Sequence, residues 1–115
     1  MSANIITKKL NAVSINGTSY SSSMEFKRAA GYCGMEIKLA SAISTTITQQ
    51  CSIDNNIWYD PVDADGNALG QVCSGITADC YKQISPVIAP FIRYKIVTAS
   101  AVVVTINVVS KEDIF

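Results

Sequence analysis

The chain has 115 residues, of which 49% are hydrophobic and 16% are charged, a composition that fits one globular domain with a single core. Nine basic and nine acidic residues cancel, so the basic excess typical of proteins that bind nucleic acid or anionic lipid is missing. The sequence contains no histidine, which excludes histidine-based general-base, nucleophile and metal chemistry. We therefore expect a non-enzymatic protein without catalytic residues, metal or cofactor.

The first ten residues contain no apolar run of signal-peptide length. The apolar stretches of the chain are also shorter than the about 20 residues that a bilayer-spanning helix needs. We expect a protein made in a host cytoplasm, with no signal peptide and no membrane contact. Residues 1–10 are predicted to be an N-terminal arm or a first strand, ahead of a single domain of residues 11–115. The candidate partner contacts in this arm are Ile5, Ile6, Lys8 and Lys9.

A tight turn is predicted at Asn16-Gly17, because these residues suit the positive φ angles of a type I′ turn. The flanking segments Ala12–Ile15 and Thr18–Tyr20 favour strands, so the pattern predicts a β-hairpin. The serines that follow either prolong its second arm or separate it from a new strand at Met24.

Two longer strands are predicted in the middle of the chain. Residues 32–39 alternate between apolar and polar side chains, which is typical of a strand with one buried face. Residues 43–53 also alternate, with a stripe of hydroxyl and amide side chains on the second face. The apolar face of this second strand is predicted to consist of Ile43, Ile47, Cys51 and Ile53.

The segment after residue 53 combines turn residues, a short predicted strand at Ile57–Tyr59 and a loop at Pro61–Gly70. Within the loop, Asp63 to Asn67 resembles the start of a calcium-binding loop. A helix-loop-helix calcium site needs glycine at its sixth position and glutamate at its twelfth, and Ala68 and Ser74 stand there instead. The motif is therefore interpreted as a solvated turn.

The last two predicted strands are residues 91–96 and 101–109, separated by a short polar break. In the first, Ile92, Tyr94 and Ile96 face the core while Arg93 and Lys95 face water. The two strands are predicted to form a hairpin. The chain as a whole contains about eight short strands, turn signals and no helical period, which predicts an all-β antiparallel β-sandwich of jelly-roll type.

Four cysteines leave two alternatives open. Without a secretion signal, free and mostly buried thiols are the favoured interpretation, and two disulfides are the alternative. The spacing contains no paired metal-binding knuckle. The residues concerned are Cys33, Cys51, Cys73 and Cys80.

Three aromatic residues, Trp58, Tyr59 and Tyr81, flank the long loop. A cluster of such rings on a sheet surface can stack on a sugar ring, which makes them candidate ligand-stacking residues. The competing and favoured interpretation places Trp58 between the two sheets as a core anchor.

Three stretches resemble the small β-sandwich virion proteins of tailed bacteriophages, which include capsid decoration, head-fibre and tail-associated proteins. They are Tyr32–Leu39 (YCGMEIKL), Ile53–Tyr59 (IDNNIWY) and Ser85–Val108 (SPVIAPFIRYKIVTASAVVVTINV). The resemblance implies a structural protein of the virion, most readily a capsid decoration or auxiliary subunit that bridges lattice proteins such as the major capsid protein. It also implies a small homo-oligomer, with a trimer favoured. The alternative is a carbohydrate- or receptor-binding module of a phage tail or fibre.

Overall fold

The computed structural model describes residues 2–25, 29–84 and 89–113. Within these ranges the chain forms nine strands and no helix, so no described segment is a helix that could cross a membrane. The strands are β1 (Ser2–Ile15), β2 (Thr18–Tyr20), β3 (Met24–Glu25), β4 (Ala29–Leu39), β5 (Thr45–Ser52), β6 (Gln71–Ile76), β7 (Cys80–Ile84), β8 (Phe91–Thr98) and β9 (Val102–Asp113).

The strands form two antiparallel sheets. The front sheet has four strands in the order β1-β9-β4-β7. The back sheet has five strands, in the order β2-β8-β5-β6 with β3 also paired to β8. β2 and β3 both pair with β8, one after the other, so they form a single interrupted strand. Counted in this way, the fold has eight strands in two sheets of four. This order is that of a jelly roll and confirms the predicted fold class.

The core lies between the two sheets and follows the alternation of the sequence. On β4, Met35 and Ile37 are fully buried, and on β8, Ile92, Tyr94 and Ile96 are fully buried. Side chains of consecutive strand residues point to opposite faces, so the residues between them line the outer surfaces. The front sheet also contributes four buried side chains from its central strand, namely Val102, Val104, Ile106 and Val108.

The turn at Asn16-Gly17 does not close a hairpin, contrary to the prediction. It carries the chain from β1 in the front sheet to β2 in the back sheet. Gly17 has a positive φ of 93°, which glycine adopts without steric cost. Its backbone is held by Thr98, whose N–H donates to the Gly17 carbonyl at 2.8 Å. A turn does lie at this position, but Asn16 is not among the described residues with positive φ, so the predicted type I′ turn and the strand pairing inferred from it are both wrong.

The predicted hairpin of the last two strands is wrong for the same reason. β8 lies in the back sheet between β5 and the β2/β3 pair, and β9 lies in the front sheet between β1 and β4. The short break at residues 99–101 is thus a crossover between sheets. Both strands are central in their sheets, and each contributes at least three buried hydrophobic side chains to the core.

The 53–70 segment leaves the back sheet after β5 and returns at β6. Ile53, predicted to belong to the apolar face of a strand, is 80% exposed because β5 ends at Ser52. The predicted strand Ile57–Tyr59 is reduced to one bridge, in which Tyr59 pairs with Cys51. The segment therefore forms an excursion along the edge of β5.

All four cysteines are free thiols. Cys33 and Cys73 are buried, and burial raises the pKa of both thiols. Cys51 and Cys80 are half-buried. The Cys33 thiol is the neighbour of the Tyr94 hydroxyl across the core, although that hydroxyl lacks a hydrogen bond of good geometry to any described residue.

Candidate partner-binding surface

The outer face of the back sheet brings together polar residues from strands that are distant in sequence. The antiparallel register of β5 and β8 places Gln50 directly opposite Arg93. The register of β2 and β8 places Tyr20 opposite Lys95, one step further along the same face. Since directly opposite side chains in a sheet are in contact range and diagonal ones are within reach of long side chains, Arg93 meets both Gln50 and Tyr20.

Arg93 contacts two aromatic rings. Its guanidinium carbon lies 4.2 Å from the centre of the Tyr20 ring and 4.6 Å from the centre of the Trp58 ring. Both distances are within the range in which the negative ring face attracts a cation. We call this group of three side chains the arginine stack.

A chain of hydrogen bonds fixes the arginine stack from one side. Nε of Arg93 donates to Oε1 of Gln50 at 2.8 Å, and Nε2 of Gln50 donates to Oδ1 of Asp60 at 2.9 Å. Gln50 is only 7% exposed because the 53–70 segment covers it. Among the described residues, no carboxylate forms an ion pair with Arg93. Its guanidinium instead contacts the rings of Tyr20 and Trp58 and the side-chain amide of Gln50.

A tight turn positions Trp58 over the sheet. Oδ1 of Asp54 accepts hydrogen bonds from the backbone N–H groups of Asn56 and Ile57 at 2.9 and 3.0 Å. These bonds hold the pKa of Asp54 below its usual range, since they favour the charged carboxylate. Beyond the turn, Tyr59 and Cys51 exchange two backbone hydrogen bonds. The indole between these two anchors is therefore placed against Arg93.

Trp58 is not the core anchor that the sequence favoured. It is half-buried and lies outside the back sheet, stacked on Arg93. Tyr59, the second candidate stacking residue, is 58% exposed beside it. The third, Tyr81, is 56% exposed but lies on β7 of the front sheet, where its ring covers Gly34. The three predicted rings are therefore not one cluster.

The Asp63–Asn67 motif forms a closed turn. Oδ1 of Asp63 accepts backbone hydrogen bonds from Asp65 and Asn67, each at 2.9 Å. Its second oxygen accepts a bond from the Asn67 side chain at 3.2 Å, and these bonds hold the pKa of Asp63 below its usual range. In the described parts of the chain, no group of three or more metal-ligating side chains comes together.

The four predicted arm residues lie in β1, which is paired with β9 along its length. Ile5 is opposite Ser110, Ile6 opposite Val109 and Lys8 opposite Asn107. Lys9 falls at a register shift, and β1 continues past residue 10 to Ile15, which is 3% exposed. β1 is an edge strand of the front sheet, with β9 on one side.

The exposed apolar side chains of the back-sheet side concentrate on the 53–70 segment. Exposure there ranges from 44% to 80%, high for large apolar side chains in a domain with a well-formed core. This surface borders the arginine stack through Tyr59. The residues are Ile53, Ile57, Tyr59, Val62 and Leu69.

Sequence reasoning missed Tyr20, Gln50 and Arg93 as members of one site. The alternation of β8 correctly turned Arg93 to the outer face, and the polar stripe of β5 contained Gln50. What joins them is the register between β2, β8 and β5. No local signal encodes that register, because the strands are separated by long stretches of chain.

The sequence matches no protein-family model and no curated protein. The fold is similar to that of the SPBc2 prophage-derived protein YomS, with a TM-score of 0.65 and 9% identity over 97% of this chain and 96% of YomS. It is also similar to VP2 of infectious bursal disease virus in derived T=1 particles, with a TM-score of 0.58 and 10% identity over 96% of this chain and 32% of VP2. The VP2 subviral particle gives a TM-score of 0.53 at 13% identity, over 99% of this chain and 37% of VP2. The chain thus spans nearly all of YomS and about a third of VP2, and the likeness shows a shared jelly-roll fold.

Proposed function

We propose that the protein is a non-enzymatic structural subunit of a virus particle. The observation that carries this proposal is the jelly-roll strand order across the described chain. That fold recurs over almost the full length of a prophage-derived protein and within a VP2 protein that forms T=1 particles. Jelly rolls occur in viral capsid proteins and in lectins alike, so the fold supports a binding or assembly role.

Within that class, the protein is proposed to act as a capsid decoration or auxiliary subunit of a bacteriophage virion. Such a subunit works by burying surface against neighbouring lattice proteins, and stable interfaces bury about 800 Å² on each partner. Such burial is favoured by the exposed apolar side chains of the 53–70 segment. It is also favoured by the zero net charge of the chain, because a neutral surface does not repel its neighbours. Its partners would be the major capsid protein or a neighbouring structural subunit.

The N-terminal segment is proposed to contribute a contact between copies. β1 is an edge strand, and edge strands can pair with a strand of another chain through their free backbone groups. Ile5, Ile6, Lys8 and Lys9 would lie in such a contact. A closed trimer is the assembly favoured by the resemblance to small virion proteins, and in any closed ring each copy contacts the next through the same pair of surfaces.

Sedimentation equilibrium of the purified protein tests this proposal. We expect the mass of a trimer or a higher closed oligomer, independent of chelator. A matched pair of variants tests this edge, with Lys8→Glu on β1 and Lys95→Glu on the outer face of the back sheet as the control. Dissociation by Lys8→Glu alone supports the N-terminal contact. A monomer over the whole concentration range would contradict the oligomer.

A second function is favoured by one specific observation, the position of Trp58 and Tyr59 on the outer surface. A carbohydrate- or receptor-binding module of a tail or fibre would use these rings. In a glycan-binding assay, Trp58→Ala should then abolish binding, and Tyr81→Ala on the other sheet should retain it. Equal loss in both variants, or no binding by the unmodified protein, would contradict this function.

A further inference from the structure

We propose that the arginine stack is a docking site for a carboxylate, supplied by an aspartate or glutamate side chain of a protein partner. The inference rests on the proposed function as an assembly subunit and names the chemistry of one contact. It assigns Arg93 as the residue that binds the partner. Tyr20, Trp58 and Gln50 are assigned as positioning residues, since they act through Arg93.

The first argument is that the guanidinium is preorganised. The centres of the Tyr20 and Trp58 rings lie 4.2 and 4.6 Å from its carbon, and these two contacts restrict the movement of the guanidinium. The 2.8 Å bond from Nε to Gln50 fixes its rotation within that plane. A fixed guanidinium keeps its two Nη groups as a fork, which matches the two oxygens of a carboxylate. Little conformational entropy would be lost on binding.

The second argument is that the charge of Arg93 is half-buried and lacks an anionic partner within the described chain. Asp60, the acidic residue nearest to it in the hydrogen-bond chain, is bonded to Gln50 instead. A partly desolvated cation is stabilised most by an opposite charge that forms hydrogen bonds to it. Asp60 orients Gln50, and Gln50 orients Arg93, so a carboxylate from outside would complete the chain.

The third argument favours a protein over an acidic sugar. A sugar ring stacks on an open aromatic face, whereas the faces of Tyr20 and Trp58 nearest the site are covered by the guanidinium. What remains is the edge of the guanidinium, and the two neighbours of Trp58 in the chain, Ile57 and Tyr59, are exposed apolar side chains. Tryptophan, tyrosine and arginine surrounded by such side chains are the residue types that dominate the energy of protein interfaces.

The test uses two peptides, acetyl-Gly-Glu-Gly-amide and its glutamine counterpart, at constant ionic strength. Trp58 is the one tryptophan of the chain, so its fluorescence reports on the arginine stack directly. The NMR signal of the Arg93 Nε–H provides a second readout. We expect saturable binding of the glutamate peptide in the millimolar range, about tenfold tighter than the glutamine peptide, because the charge-assisted pair is lost in the latter.

Matched variants separate this contact from general electrostatics. Arg93→Gln should abolish the preference for glutamate. Lys95→Gln removes the same charge two residues along the same strand face and should change the affinity less than about threefold, as expected for a surface charge outside the contact. Arg93→Lys keeps the charge but not the fork, and should weaken binding about three- to tenfold. Thermal melts of all three variants establish that they are folded at the assay temperature.

With the peptides, the inference would be overturned by equal binding of both, by an equal effect of Arg93→Gln and Lys95→Gln, or by no saturable change in either readout. Binding of glucuronate is measured in the same way. If it binds about tenfold more tightly than the glutamate peptide, the site is one for an acidic sugar and the inference is wrong. Peptide binding is measured whatever the oligomeric state. Its failure would therefore leave the sedimentation result standing, and failure of the oligomer would leave the peptide result standing.

Discussion

Replacing Tyr94 by phenylalanine should stabilise the protein. The Tyr94 hydroxyl is fully buried between the sheets and lacks a well-formed hydrogen bond to the described residues. Its neighbour is the Cys33 thiol, and a thiol is a weak donor and a weak acceptor. Burial raises the pKa of Tyr94 far above its usual value, which keeps the hydroxyl uncharged near neutral pH.

The magnitude follows from two opposing effects. A buried polar group without a partner costs about 1–3 kcal/mol relative to its hydrated state in the unfolded chain. Removing the oxygen recovers this cost but leaves a small void and ends the weak contact with Cys33, which together offset part of the gain. We therefore expect Tyr94→Phe to raise the free energy of unfolding by about 1 kcal/mol, equivalent to about 4 °C in Tm.

Urea denaturation followed by Trp58 fluorescence measures this change, with circular dichroism as a second probe of the same transition. Ile96→Val is the matched control, because Ile96 is fully buried on the same strand face. It should lower the free energy of unfolding by about 0.5–1.5 kcal/mol. If Tyr94→Phe instead lowers it by a similar amount, the hydroxyl has a strong partner in solution, such as a buried water, and the reasoning is refuted.

Three further predictions concern the surface. The lowered pKa of Asp63 contributes stability above the unfolded pKa of about 3.9, and this contribution is lost as the pH falls through the folded pKa. Urea titrations from neutral to acidic pH should therefore show a smaller acid-induced loss for Asp63→Asn, and an unchanged loss would contradict the turn. Trp58→Ala should lower the free energy of unfolding by about 1–2 kcal/mol, the range of a partly desolvated cation–π contact, whereas a loss above about 3 kcal/mol would place the indole in a core. Gly34→Ala should displace the Tyr81 ring, seen as a shift of its NMR signals, at a cost below about 1 kcal/mol, since the atoms that the new Cβ would meet are at the end of a flexible, exposed side chain.

The faces of the strands could be predicted from sequence, since they depend on local alternation. Ile92, Tyr94 and Ile96 are buried and Arg93 faces outward, as expected from strand geometry alone. Strand pairing could not be predicted in this way. In the described ranges, β5 and β6 are the only consecutive strands that pair with each other. In this jelly roll, a tight turn therefore does not indicate that the two strands it joins pair with each other.

Trp58 illustrates why the candidate site was only partly predictable. Its size and hydrophobicity favoured a core position, yet the turn at Asp54 ends the strand before it and places it outside the sheet. Arg93 supplies the surface that covers one indole face. A cation on one strand and an aromatic ring in a distant loop carry no shared sequence signal, so their contact emerges only from the assembled fold.

The central position of β9 in the front sheet has a consequence for how the chain folds. β9 lies between β1 and β4 and pairs Asp113 with Ser2, so β1 cannot complete its pairing until a strand that is synthesised much later has been made. Until β9 arrives, β1 and β4 lack the neighbour they share, and their unpaired edges can recruit strands of other nascent chains. The chain loses loop-closure entropy before the contacts between β1 and β9 can compensate for that loss. We therefore expect slow folding, on the millisecond-to-second scale of proteins dominated by non-local strand pairing. Aggregation of newly made chains would therefore depend more on how quickly β9 inserts than on the stability of the finished sandwich.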